Sequence, residues 1–182
     1  DMNTTGAINV GSGALTFLTA SGSTVGLGAG AGTFSLNDTE LDNITVSGLL
    51  TIGDSNTTAL TVDGWSANTT VSGNVTLTAN DATDGAITFS GTASSVRAGL
   101  TLNAADGITL STGLTTSVAT TGTTITIDAD SDNNAESTAT FVITDAGSLN
   151  TSTDDLTITA ADVNLNDSGT ITATGGTVTL LA

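Results

Sequence analysis

Leu100-Thr101-Leu102-Asn103-Ala104-Ala105-Asp106-Gly107-Ile108-Thr109-Leu110 contains one three-residue word twice, with a short polar corner between the copies. In an extended chain, residues i and i+2 point to one side and residue i+1 to the other. Each word therefore buries two large apolar side chains and turns a threonine outward. Threonine is branched at Cβ and suits a half-exposed pleat. The corner is made of Asn, Ala and Asp and ends in Gly107, the residue type that takes a positive φ without strain.

The word recurs along the whole chain, starting at Leu15, Ile44, Leu50, Leu60, Val75, Ile87, Leu100, Ile108, Ile125, Leu156 and Val178. Random placement of threonine among these apolar residues would give roughly two copies, so the alternation is organisation and marks strands. Ile8-Asn9-Val10, Phe34-Ser35-Leu36 and Val163-Asn164-Leu165 keep the alternation with another outward residue. Glycines precede many of the words, among them Gly13, Gly48, Gly73, Gly85, Gly99, Gly107 and Gly176. No window carries the apolar stripe of a helix over three turns. The chain is expected to be all-β.

Two architectures accommodate short strands at this frequency. An antiparallel β-sandwich joins strands by hairpins and carries an aromatic core, but aromatic residues are only 3% here, and Tyr and Pro are absent. A β-solenoid, or parallel β-helix, stacks coils around a narrow interior that suits Val, Ile, Leu and Ala. That composition favours the solenoid and leaves the sandwich as the alternative. Words near 19 to 22 residues apart, Leu15 with Phe34, Val25 with Ile44, Ile87 with Ile108 and Leu156 with Val178, would each span one coil. Residues 1–182 then form a single domain of about nine irregular coils, a rod about 43 Å long. Segments 111–124 and 128–140 interrupt the pattern and are expected to project as loops.

Composition excludes several functions. The chain has 18 acidic residues against one basic residue, Arg97, for a net charge of −17. It offers no surface for nucleic acid phosphates or anionic membranes, and no stretch approaches the length of a membrane-inserted helix. The first residues, Asp1-Met2-Asn3, lack the basic and apolar regions of a signal peptide, as in a chain that starts inside a processed protein. His, Cys, Lys and Tyr are all missing, so there is no evident general base or activated nucleophile. Asp154-Asp155 and the Asp81, Asp84 pair read as turn formers. No catalytic residue and no enzymatic activity are expected. Arg97 is expected to pair with a nearby Asp.

At this point the Gly-x-apolar-Thr-apolar pattern, as in Gly85-Ala86-Ile87-Thr88-Phe89 and Gly176-Thr177-Val178-Thr179-Leu180, resembles the repeat regions of filamentous-haemagglutinin-type adhesins and autotransporter passengers of bacteria. The resemblance implies a right-handed parallel β-helix displayed outside the cell. It carries over no functional residues, because the repeat defines none.

The sharpest local feature is Asp128-Ala129-Asp130-Ser131-Asp132-Asn133-Asn134-Ala135-Glu136. Oxygens of Asp128, Asp130, Asp132, Asn134 and Glu136 alternate along it and would suit Ca²⁺, which takes six to eight oxygen ligands. The loop departs from the EF-hand pattern, with Asn133 at the sixth position and Ala139 at the twelfth. Sequons begin at Asn3, Asn37, Asn43, Asn56, Asn68, Asn74, Asn150 and Asn166, so glycans are candidate partners. Trp65 stands at a corner, either capping the core edge or presenting a ring to sugar. Uncapped strand edges at the ends of a solenoid would pair with another copy. The expected function is a structural segment or subunit of an extracellular fibre that self-associates end to end into filaments. A carbohydrate- or host-binding adhesin module, or a surface-layer protein, is the alternative.

Overall fold

The computed structural model describes residues 6–66, 70–97, 99–116, 123–134 and 138–182. All eleven apolar-Thr-apolar words lie in strands, numbered here in chain order. The first sheet stacks seven: β2 (Leu15–Phe17), β6 (Leu49–Ile52), β8 (Asn74–Ala79), β11 (Leu100–Ala104), β14 (Thr124–Asp128), β17 (Asp155–Thr159) and β20 (Val178–Leu181). The second stacks β4 (Phe34–Leu36), β3 (Ser23–Gly28), β7 (Thr57–Asp63), β9 (Ala86–Phe89), β12 (Ile108–Leu110), β15 (Thr140–Ile143) and β18 (Asp162–Leu165). A third holds β10 (Ser94–Val96), β13 (Gly113–Thr116), β16 (Ser148–Ser152) and β19 (Thr170–Ala173), and β1 (Ile8–Gly11) pairs with β5 (Ile44–Val46).

Every pairing between these strands is parallel. The antiparallel sandwich is thereby excluded, since its strands would pair through hairpins. The protein is all-β with parallel multi-stranded sheets, an arrangement compatible with a β-helix. From β8 onward the chain visits the first, second and third sheets in turn before returning to the first.

Register is kept without a shift throughout the first sheet. In the first sheet Thr16, Thr51, Thr76, Thr101, Thr126, Thr157 and Thr179 stand opposite one another in a single outward column. The intervals between them are 35, 25, 25, 25, 31 and 22 residues. Ile87 pairs with Ile108 and Leu156 with Val178 as expected. Leu15 pairs with Leu50 rather than Phe34, and Ile44 with Ile8 rather than Val25. The expected spacing was too short because the circuit includes a third sheet, whose strands do not carry the word. Seven strands per large sheet, against about nine expected coils, span about 29 Å.

Inward positions form the core. Leu50, Val75, Leu100, Ile125 and Leu156 make one fully buried column, and Leu60, Ile87, Ile108 and Phe141 another. Trp65 is buried among them, so its ring is core rather than a sugar-facing surface. Gly113–Thr116, inside the first expected loop, is strand β13, and 117–122 lie outside the described residues.

The two ends of the stack differ. Before β5 the chain makes an excursion in which β4 pairs with the outer side of β3 and a single helical turn, α1 (Asp38–Asp42), packs on β3 and β5. Asn37 caps α1: its side chain accepts from the Glu40 N–H at 3.1 Å, and Glu40 accepts from the Asn37 N–H at 2.9 Å. This reciprocal box explains a turn of helix in an otherwise extended chain. The Phe17 and Phe34 rings meet with centroids 5.8 Å apart. At the other end no described residue lies over the last strands. Leu165, Val178 and Leu180 occupy the same inward columns as fully buried residues but are 45, 43 and 56% exposed.

Candidate functional site

The acidic turn begins at Asp128, the last residue of β14. Far from projecting, its described part is tied to the body. The Ala129 N–H donates to the Thr159 carbonyl at 2.9 Å and the Ser131 N–H to the Ala104 carbonyl at 3.0 Å. Ser131 Oγ donates to Asn80 Oδ1 at 2.6 Å. Asn133 bends the chain with a φ of 60°, a region that Asn tolerates better than most residues.

Within the turn the candidate ligands are unevenly placed. The Asp130 N–H donates to Asp128 Oδ1 at 3.3 Å, and Asn134 Nδ2 donates to Asp132 Oδ2 at 2.7 Å. Burial pushes the Asp128 carboxyl above its ordinary range; the Asp130 amide opposes this and the Asp130 charge adds to it. One oxygen each of Asp130 and Asp132 is buried without a hydrogen-bond partner. Glu136 lies outside the described residues. Among the described residues no three carboxylates converge into a metal-binding cluster.

A second polar site escaped the sequence reading. Thr116 and Thr151 are fully buried, and Asp154 is 1% exposed at the turn from β16 into β17. The sequence reads Asp154 as a turn former alongside Asp155. Asp155 does behave so: it is exposed, and its Oδ1 accepts from the Thr177 N–H at 2.7 Å. Asp154 points the other way, and both its Oδ1 and Thr116 Oγ1 are buried without a partner. Leaving a buried hydroxyl unbonded costs about 1–3 kcal/mol, and an isolated carboxylate costs far more. The available signal was a break in pattern. At the inward positions of β13 and β16, Thr116 and Thr151 stand in the interior where β10 places Val96 opposite Thr116 and most strands place an apolar residue.

No family model, curated protein or solved structure matches the chain.

The remaining candidates are surface features. Asn37, Asn74 and Asn150 are exposed sequon positions, Asn43, Asn56 and Asn166 are half-buried, and Asn3 and Asn68 lie outside the described residues. Arg97 is half-buried just after β10. Asp81 is held below the usual carboxylate range by the Thr83 hydroxyl and N–H, as befits a turn. No helix of the described residues is long and apolar enough to cross a membrane.

Proposed function

We propose that the chain is a right-handed parallel β-solenoid serving as a non-enzymatic segment or subunit of an extracellular bacterial surface fibre, in which β-coils stack end to end. The observation that carries this reading is the open edge formed by β18, β19 and β20. Leu165, Val178 and Leu180 present there the apolar columns that are sealed elsewhere, and Leu181 is 50% exposed beside them. A further parallel coil supplies both the missing ladder hydrogen bonds and the missing apolar cover. That coil is either a second copy, entering in the head-to-tail sense that builds filaments, or a further segment of a longer rod. The extracellular setting rests on the resemblance of the repeat to secreted surface proteins, and the non-enzymatic reading on the missing bases and nucleophiles.

Light scattering and negative-stain imaging of the full chain test it. Rods many subunits long are expected, and Leu180→Asp with Leu181→Asp is expected to return the chain to 17.6 kDa particles. A monodisperse monomer at every concentration would overturn the end-to-end assembly of copies.

Two accessory features belong to the same proposal. The 128–134 turn binds Ca²⁺ weakly and stiffens the molecule, supported by the unpartnered oxygens of Asp130 and Asp132; an unchanged melting midpoint on adding chelator would sink this. Exposed sequons such as Asn74 carry glycans, and an intact mass equal to that of the sequence would dispose of this idea.

A further inference from the structure

Thr116, Thr151 and Asp154 are buried polar residues at the corner where the third sheet hands over to the first. Leu114 pairs with Leu149 and Thr115 with Asn150, which brings Thr116 and Thr151 onto neighbouring strands one position further on. Ser152 Oγ donates to the Thr116 carbonyl at 3.3 Å, and Thr151 Oγ1 donates to the Asp154 carbonyl at 3.3 Å. Gly176, in the turn before β20, runs close against the corner, where an added Cβ would overlap the Asp154 carbonyl. Asp154 Oδ1 and Thr116 Oγ1 are left inside without a hydrogen bond to any group, one another included.

We propose that this corner holds a dehydrated monovalent cation, with Asp154 Oδ1 and Thr116 Oγ1 as ligands. Charge decides the class of ion. The corner offers one carboxylate beside neutral hydroxyls and carbonyls, so a single positive charge balances it, whereas a divalent ion would leave a net charge in an apolar interior. Oxygen donors suit a hard cation. The site is independent of the fibre reading and distinct from the 128–134 turn.

The test is thermal unfolding of the full chain at pH 7 in sodium, potassium or choline chloride at equal ionic strength. A midpoint about 4 °C higher in one of the alkali salts than in choline is expected for a site loaded well above its dissociation constant. Thr116→Val, which keeps the side-chain shape, and Asp154→Asn are expected to abolish that difference. Identical midpoints in all three salts would overturn the proposal, as would a salt-specific shift that survives in Thr116→Val. Crystals soaked in rubidium chloride give a second readout that needs no variant. Anomalous density against both oxygens supports the site, and its absence there refutes it.

Discussion

Ser131 Oγ donates a 2.6 Å hydrogen bond to Asn80 Oδ1, joining residues 51 positions apart in the chain. The bond fastens the acidic turn to the corner that follows β8. Ser131→Ala removes the donor and leaves a part-buried amide oxygen unmatched, at an expected cost of about 1 kcal/mol. Urea unfolding of the variant reads this directly, and an unchanged midpoint would show that water replaces the bond without loss.

The alternation of inward and outward residues makes neighbours behave oppositely. Leu102 is fully buried and Thr101 is half-exposed on the same strand. Leu102→Ala is expected to destabilise the fold by about 2–5 kcal/mol, whereas Thr101→Val should stay within about 0.5 kcal/mol. Chemical denaturation of the two variants side by side provides the check.

Gly13, Gly48 and Gly73 stack on one another. A Cβ on Gly48 would overlap the Gly13 carbonyl, and one on Gly73 the Gly48 carbonyl. Gly73→Ala therefore forces two backbones apart and should cost more than about 1 kcal/mol. Gly6→Ala, with nothing within 4 Å of its added carbon, should be nearly silent. Equal midpoints for the two variants would contradict the close approach.

Acid lability has a named contributor in Asp54. Burial raises its pKa, but hydrogen bonds from Asn56 and Thr19 outweigh burial and hold it below the usual carboxylate range. A carboxyl depressed in the folded state stabilises the fold above its unfolded pKa, and that stability disappears as pH falls through the folded value. Asp54→Asn should therefore lower the midpoint at pH 7, and the gap to the parent should narrow as pH falls through and below the ordinary carboxylate range. A gap that stays constant with pH would mean that shape rather than charge accounts for the loss.

Assembly should respond to salt. Each copy carries a charge of −17, so like-charged ends repel until ions screen them over about 8 Å at physiological ionic strength. Light scattering is expected to rise between low and moderate salt, in choline chloride as in sodium chloride. Particle size that falls with salt would point to charge pairing at the contact instead.

The first two sheets were legible because their inward residues are large and apolar and their outward residues are threonine. The third was not. β10, β13, β16 and β19 place Ser94, Thr116, Thr151 and Ala173 at or near the interior, so no apolar alternation marks them, and the circuit looked shorter than it is. α1 was missed because five residues cannot show a helical stripe, although Asn37 and Glu40 have the spacing of a capping box. Asp154 was missed for a related reason. Two adjacent aspartates at a turn give no hint that one faces solvent and the other faces inward.

The unequal intervals along the threonine column have a wider consequence. Returns of 22 and of 35 residues both advance the stack by one strand. Axial extent of the first sheet is therefore counted in returns rather than in residues, and the longest return spends its extra sequence on β4 at the outer side of β3 and on α1. Two relatives of equal mass could differ in reach, and two of equal reach could differ in the decoration they carry outward.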